Sequence, residues 1–420
     1  MATGYGELLR APHVARLLGG TLLGRLPYGT AALAVVLFAR SEGSGYTLAG
    51  VLASVYGLAT AVGQPLLGRM VDLYGQVRVI LPAAVVSAVA VGAFAALGTE
   101  PLPRAAALIL VAGLTTPPLE GALRALWASV LGGATPVHRA YALDAVAQEV
   151  MFAGGPLIVM LLVALWSEAA ALLVVNALGL LGALAFVTAP PARRWRAAPR
   201  EAHWLGALRS PGLLALLACF FFVGLALGAI SVAAVAYADD RGDELVATWL
   251  LSALGAGAMA GGLCYGARPW AGPPERRLLA LVALLAAGYL PLLLVPSSAA
   301  LMTLLTGLAG VFLAPALACA FVVIDRHAPA GTVTEAFSWL VTTFGVGAAA
   351  GTAAVGPVVE RGGDAAGFGL AAAGGLAALL VLLVTRRALE PPPAPPAPAP
   401  ESQNDRNAAL QPGFRTGHRA

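Results

Sequence analysis

Long apolar runs, separated by short turns that often contain Gly or Pro, fill the chain between residues 14 and 387. Each run reaches the roughly 20 apolar residues that an α-helix needs to cross the hydrocarbon core of a bilayer. Backbone polar groups cannot stay unpaired in lipid, and the alternating segments of about 10 residues that build a membrane barrel are not visible, so the runs predict helices. The twelve predicted membrane helices are 14–39, 47–69, 78–98, 104–130, 140–165, 168–189, 211–237, 246–267, 277–296, 299–325, 332–359 and 365–387.

The composition also indicates an integral membrane protein. Of 420 residues, 59% are hydrophobic and 11% are charged, whereas soluble domains carry about 25% charged residues. A water-soluble fold could not hide this much apolar surface. The arginines are scattered between the apolar runs rather than collected on a basic face, which argues against nucleic-acid binding. Cys219, Cys264 and Cys319 lie far apart without a CxxC pair, so we predict small buried side chains rather than disulfides or metal ligands.

The distribution of arginine predicts the orientation of the helices, because positive residues concentrate in cytoplasmic loops. With the N-terminus in the cytoplasm, four arginines fall outside: Arg40, Arg104, Arg241 and Arg361. Sixteen fall inside: Arg10, Arg16, Arg69, Arg78, Arg139, Arg193, Arg194, Arg196, Arg200, Arg209, Arg268, Arg276, Arg277, Arg326, Arg386 and Arg387. We therefore predict a multi-pass protein of the inner (plasma) membrane with both termini cytoplasmic. Because no small-residue cleavage site follows a short apolar region, the first helix is predicted to be retained rather than removed as a signal peptide.

A basic stretch at residues 190–210 divides the predicted helices into six and six. Two repeated halves are typical of secondary transporters. The predicted parts are an N-terminal six-helix bundle (1–189), a cytoplasmic linker (190–210), a C-terminal six-helix bundle (211–387) and a cytoplasmic tail (388–420). The tail is rich in Pro and Ala and then polar, so it cannot bury a core and is predicted to be disordered.

The turn between the second and third predicted helices, GRMVDLYGQVR at residues 68–78, resembles the loop signature Gly-x-Leu-Ala-Asp-Arg-x-Gly-Arg-Lys of the major facilitator superfamily. Gly68, Asp72 and Gly75 match its spacing, and Arg69 and Arg78 are displaced from its basic positions. Three positions that are usually basic in that family differ here: Leu73, Gln76 and Val77.

With the helix count, this resemblance covers residues 14–387. It implies an all-α membrane protein with twelve transmembrane helices, arranged as two six-helix bundles around a central cavity, and a monomer. It also implies that Asp72 accepts backbone N–H bonds at the start of the eleventh helix, which holds the two halves together when the cavity faces outward. The alternative for Asp72 is an ordinary turn residue.

Five charged residues lie inside the first six predicted helices: Arg25, Glu120, Arg124, Asp144 and Glu149. Charges inside a membrane are costly and usually functional. Counting about 1.5 Å per helical residue predicts a shallow pair, Arg124 with Asp144, and a deeper group of Arg25, Glu120 and Glu149. Three carboxylates face two arginines, so one lacks a partner, and Glu120 and Glu149 are predicted to share one exchangeable proton. The alternative is a static ion-pair network that locks the first, fourth and fifth helices.

Prolines predict local breaks in these helices. Pro117 and Pro118 interrupt the fourth helix, because proline removes backbone donors and frees carbonyl groups. Such a break near the midplane can shape a cavity wall, although a kink with packing consequences alone is the alternative. Three residues are predicted to line the cavity: Tyr28, Gln64 and Trp339.

Glycines predict close helix packing in both halves. In the fifth helix, Gly155-Pro156 partly resembles the Gly-x-x-x-Gly-Pro-x-x-Gly signature of superfamily exporters that work by proton antiport. This partial match favours export; helix packing alone is the alternative. In the eleventh helix, Gly347 and Gly351 are predicted to pack against the second helix.

The leading hypothesis is a proton-coupled secondary transporter that exports an amphipathic or hydrophobic small molecule by alternating access. The alternatives are a proton-coupled uptake symporter for a polar or anionic solute, anchored by Arg25, and a membrane receptor that does not transport. No HExxH, GxSxG or Walker sequence occurs, so neither an enzyme nor a cofactor is predicted. The predicted partners are a small-molecule substrate, protons and the lipid bilayer.

Overall fold

The computed structural model describes residues 4–199 and 203–390, and their regular secondary structure is helical. Most of the predicted tail, residues 391–420, lies outside the described residues. The α-helices are α1 (Tyr5–Arg10), α2 (Val14–Ser41), α3 (Tyr46–Tyr74), α4 (Gln76–Leu97), α5 (Leu102–Leu114), α6 (Leu119–Leu131), α7 (Ala134–Leu165), α8 (Glu168–Val187), α9 (Pro190–Arg194), α10 (Pro211–Asp239), α11 (Leu245–Ala267), α12 (Pro274–Tyr289), α13 (Ala299–Gly310), α14 (Leu313–His327) and α15 (Val333–Val384). Short 3₁₀ helices cover Gly206–Arg209, Leu290–Leu294 and Arg386–Leu389.

In the described part of the chain, eleven helical stretches are long and apolar enough to cross a membrane. The last of them, α15, has 52 residues, far more than one crossing needs. Its helix is interrupted at Gly363, which has φ 68° and ψ −171°. Glycine adopts this left-handed backbone without a steric penalty, so α15 supplies two crossings and the described residues supply twelve. The predicted all-α fold is thereby confirmed.

The membrane helix built from α5 and α6 is broken where the two prolines predict it. Helix α5 ends at Leu114 and α6 begins at Leu119. Nε2 of Gln64, in α3, donates a hydrogen bond to the freed carbonyl oxygen of Thr116 at 2.9 Å. The equivalent helix of the second half is also broken, between α13 and α14, which the sequence pattern does not predict.

Glycines bring helices of the same half into close contact. A side chain at Gly182 in α8 would collide with the backbone of Gly24 in α2. The eleventh helix contacts α3, as predicted, but Gly347 and Gly351 do not make that contact, because side chains there would collide with carbonyl groups of α10. Gly224 and Gly228 of α10 face α15 in return, so two small-residue surfaces of one half fit together.

The two halves meet at the end of the helices that carries the start of α2, the turn at Gly75 and the described part of the 190–210 stretch. We call it the basic end because its arginines include Arg16, Arg69, Arg78, Arg193 and Arg194. Helix α3 contacts α15 there, and α7 contacts α11 and α14. The hydroxyl of Tyr5 donates to the carbonyl oxygen of Leu263 at 3.0 Å. Further into the membrane, Oγ1 of Thr342 donates to the carbonyl oxygen of Ala61 at 3.1 Å. These contacts close the basic end. The opposite, acidic end carries Asp239, Asp240, Asp243 and Glu244.

Candidate functional site

Asp144 is the centre of a buried charge network. From α2, Nη1 of Arg25 donates to Oδ1 of Asp144 at 2.7 Å, and from α6, Nε of Arg124 donates to Oδ2 at 2.7 Å. The side chains are 3%, 0% and 1% exposed for Arg25, Asp144 and Arg124. Hydrogen bonds between ionised partners are the strongest kind in proteins. One carboxylate in α7 therefore ties three helices together.

Arg124 has further partners on its remaining edge and on its face. Its Nη2 lies 3.3 Å from Oε2 of Glu120, one turn earlier in α6, and donates to Oε1 of Gln148 at 3.1 Å. Its Cζ lies 3.8 Å from the centre of the Phe321 ring, which belongs to the other half. The sequence predictions missed both Gln148 and Phe321. Gln148 follows Asp144 by four residues on one helix face, a spacing that could have revealed it, whereas nothing local indicates Phe321.

The predicted grouping by depth differs from the observed one. Arg124 does pair with Asp144, but Arg25 also pairs with Asp144 rather than with Glu120 or Glu149. Glu149 lies outside the network: in residues 4–199 and 203–390 it has no ion pair. The reason is helical geometry, since five residues turn a side chain about 140° away from Asp144, while four turn it by about 40°. The position of a residue along its helix predicts its height in the membrane, but not which neighbouring helix its side chain faces.

Arg25 keeps one edge without a protein partner. Its Nε and Nη2 are buried, and neither has a hydrogen bond to the described residues. A small void of about 10 Å³ lies beside it, lined by Tyr28, Glu120, Gln148, Met151 and Phe152 among others. That space is about the size of one water molecule. In this conformation the network is therefore almost dry.

The other two predicted cavity residues have different surroundings. The Gln64 amide hydrogen-bonds to backbone at the break between α5 and α6, as described above. Trp339 is partly buried and packs against the main hydrophobic core. Their contribution to a substrate cavity remains a prediction.

The segment that carries the loop signature is more helical than predicted. Helix α3 continues to Tyr74 and α4 starts at Gln76, so the turn consists of Gly75, with φ 91°. Charged residues can continue the helix here because they reach the membrane surface. From within α3, the Asp72 carboxylate accepts the backbone N–H of Thr334 at 3.1 Å and of Glu335 at 2.8 Å. This is the contact with the eleventh helix that the resemblance implied.

Neighbouring residues of the signature support this contact. A side chain at Gly68 would collide with Oγ of Ser338, so glycine allows α3 to approach α15 closely. Arg69 donates to the carbonyl oxygen of Trp204 at 2.7 Å, which attaches the stretch between the halves to α3. Arg78 is exposed. The basic end is thus held by hydrogen bonds from Arg69 and Asp72, both in the last turns of α3, to backbone groups of the linker and of α15.

The Gly155-Pro156 pair lies where α7 passes close to α2. A side chain at Gly155 would lie 2.7 Å from the methyl group of Thr30. The glycine therefore allows α7 to approach α2 closely, and Pro156 lies inside α7. A role of the Gly155-Pro156 pair in the direction of transport remains a prediction.

Comparison with known proteins decides the family. The sequence profile of the Major Facilitator Superfamily matches residues 17–352. The chain belongs to the Major Facilitator Superfamily. Members of this superfamily are membrane transporters, so the transporter assignment follows from it. A comparison with curated proteins gives no sequence match.

Solved structures of the superfamily share the fold of this chain. A bacterial homologue of the iron transporter ferroportin in an outward-facing state has a TM-score of 0.72 at 16% identity, covering 89% of this chain and 99% of that one. The human organic anion transporter MFSD10 (TETRAN) has a TM-score of 0.65 at 19% identity, covering 88% and 98%. A single-residue variant of the E. coli fucose:proton symporter FucP has a TM-score of 0.63 at 14% identity, covering 88% and 98%.

Proposed function

We propose that this superfamily member is a proton-coupled secondary transporter that exports an amphipathic small molecule by alternating access. In this proposal the basic end faces the cytoplasm, because positive residues concentrate on that side of a membrane protein. The described conformation, with the basic end closed, is then the one that exchanges substrate and protons with the outside.

The observation that carries the proposal is the position of Glu149. Two arginines, Arg25 and Arg124, are balanced by Asp144 and Glu120, which leaves Glu149 as a carboxyl group in α7 without a counter-charge among the described residues. A carboxyl group in a membrane segment without a cationic partner binds a proton readily. Glu149 can therefore take up a proton in one conformation and release it in the other.

Glu120 is the second proton-binding candidate. Its one ion pair is the 3.3 Å contact with Arg124, and its Oε2 has no hydrogen bond within the described residues. Asp144, by contrast, is held by two arginines at 2.7 Å, which keeps it ionised. The exchangeable proton is thus assigned to Glu149 and Glu120 rather than to Asp144.

Two features support export of an amphipathic compound. The partial exporter signature at Gly155-Pro156 lies in α7, the helix that also carries Glu149. The second half places no ion pair at the depth of the network, since its described ion pairs lie at the helix ends, at Asp364 and Glu275. A charged wall facing an apolar wall suits a molecule with one polar and one apolar part.

Uptake of an anionic solute is the second candidate, and the unpartnered edge of Arg25 favours it. The free Nε and Nη2 of this guanidinium could receive two oxygen atoms of an anionic group. Binding an anion there would require the void beside Arg25 to widen.

The test starts with a screen for resistance or accumulation in a transport-deficient host that produces the wild type. Flux of the identified compound is then measured in everted membrane vesicles with an imposed pH gradient. Export predicts accumulation inside everted vesicles, loss of accumulation in Glu149→Gln, and wild-type behaviour in Glu100→Gln, a matched change at an exposed position. Efflux from everted vesicles would favour the uptake symporter, and ligand binding without any flux would favour a receptor.

A further inference from the structure

We propose that Phe321 is a positioning residue through which the charge network holds the basic end closed: its ring binds the face of the Arg124 guanidinium across the boundary between the two halves. This inference rests on the proton-coupled transport proposed above and names the residue that connects the network with the movement of the halves.

The geometry is that of a cation on an aromatic face. Cζ of Arg124 lies 3.8 Å from the centre of the Phe321 ring and 5.8 Å from the centre of the Phe337 ring. Arg124 is 1% exposed, and both rings are fully buried. Attraction between a guanidinium and an aromatic face is strongest when both are removed from water. Arg124 belongs to α6 in the first half, whereas Phe321 and Phe337 belong to α14 and α15 in the second.

A third ring completes the enclosure. Tyr141, from α7, lies 5.9 Å from Phe321 and 6.1 Å from Phe337, and the two phenylalanines lie 6.0 Å apart. The Tyr141 hydroxyl donates to the carbonyl oxygen of Arg124 at 3.4 Å. Rings from both halves therefore keep water away from the guanidinium while the basic end is closed.

The partners of Arg124 divide into two sets that respond to different events. Asp144, Glu120 and Gln148, which approach its edges, all belong to the first half and move together with it. Phe321, on its face, belongs to the second half. Separation of the halves at the basic end must remove the ring and admit water to the guanidinium. Arg124 is thus a residue of the network whose surroundings change when the basic end opens or closes.

The charge around Arg124 should in turn influence closure. A buried cation that loses an anionic partner is strongly destabilised, and access to water relieves it. A proton on Glu120 removes one of the two anions beside Arg124, so protonation should favour opening of the basic end. The charged and titratable groups that face this site are Glu120 from α6, Arg25 and Tyr28 from α2, Asp144 and Tyr141 from α7, and Asp325 from α14.

The experiment measures the open-to-closed ratio of the basic end in the full chain. Spin labels at Ser129→Cys and Ala330→Cys, in exposed positions of the two halves, report their separation by pulsed electron resonance. Cys264 is exposed and is replaced by serine, whereas Cys219 and Cys319 are buried and remain. The ratio is recorded in lipid nanodiscs under mildly alkaline and mildly acidic conditions.

Phe321→Leu keeps an apolar side chain without an aromatic face, and it should raise the open-to-closed ratio on the order of tenfold. Phe321→Tyr, which keeps the aromatic face, should remain near the wild type. Phe220→Leu is the matched control, a fully buried phenylalanine in α10 of the same half, and should leave the ratio unchanged. Should the leucine variant fail to fold, Phe321→Met provides the same test.

Acidification should raise the ratio in the wild type and in Phe321→Tyr. The inference is overturned if Phe321→Leu keeps the wild-type ratio, or if Phe321→Tyr opens as much as Phe321→Leu. If the wild type does not respond to acid while Phe321→Leu still opens the basic end, the role of Phe321 stands and the proton coupling of the proposed function falls.

Discussion

Nη1 of Arg25 lies 2.7 Å from Oδ1 of Asp144, although 119 residues separate the two in the sequence. The same carboxylate binds Arg124 through its other oxygen, so it neutralises part of two buried cations at once. Asp144→Asn should therefore leave Arg25 and Arg124 short of negative charge in a dry site. We expect a loss of about 3–5 kcal/mol in the free energy of unfolding, because one partner of a buried ion pair is removed.

This loss is measured as a fall in the thermal unfolding midpoint of the purified protein in detergent. Glu100→Gln, at an exposed position, serves as the matched control and should not change the midpoint. The double variant Arg25→Gln with Asp144→Asn should be more stable than Asp144→Asn alone. A wild-type midpoint for Asp144→Asn would contradict the central position assigned to this carboxylate.

Asp72→Asn should weaken closure of the basic end. The aspartate accepts two N–H groups at the start of α15, where the helix dipole favours negative charge. Removing the charge should destabilise the closed conformation relative to the open one by about 1 kcal/mol. Asp72→Ala should destabilise it more, because it leaves both N–H groups unpaired. Spin-label distances across the basic end are the readout, with Asp239→Asn at the acidic end as the control. Equal distances in Asp72→Ala and the wild type would rule out this role.

Gly182, which touches Gly24, and Gly92, which has free space around it, should respond differently to substitution by alanine. Gly182→Ala places a methyl group against the backbone of Gly24, so α8 and α2 must move apart at a cost of about 1–3 kcal/mol. Gly92→Ala, in α4, meets no atom within 4 Å and should be neutral or stabilising by up to about 1 kcal/mol. The measurement is the thermal unfolding midpoint of each variant. Equal midpoints would mean that α2 and α8 do not need this close approach.

The helices, their number and the proline break were predictable because each depends on a local property of the chain. Apolar length defines a membrane helix, and Pro117 with Pro118 removes the hydrogen bonds of α5 and α6 at that point. The interruption of α15 at Gly363 also agrees with the predicted separation into two crossings.

The pairing of the charges was only partly predictable. Height along each helix correctly brought Arg124 to Asp144, but direction around α7 decided that Gln148 faces the network while Glu149 does not. The choice of Arg25 between acidic residues depends on how α2 packs against α7, which no local pattern contains. The same holds for Gly347 and Gly351, whose spacing predicts close packing but not which helix is approached.

The central claim is that Glu149 and Glu120 couple the transport of the substrate to protons. It is tested most directly in proteoliposomes with a trapped pH-sensitive dye, after addition of a compound that the wild type transports. The account predicts compound-dependent proton movement by the wild type and by Glu100→Gln, and its loss in Glu149→Gln with compound binding retained. Wild-type proton movement in both Glu149→Gln and Glu120→Gln would contradict it.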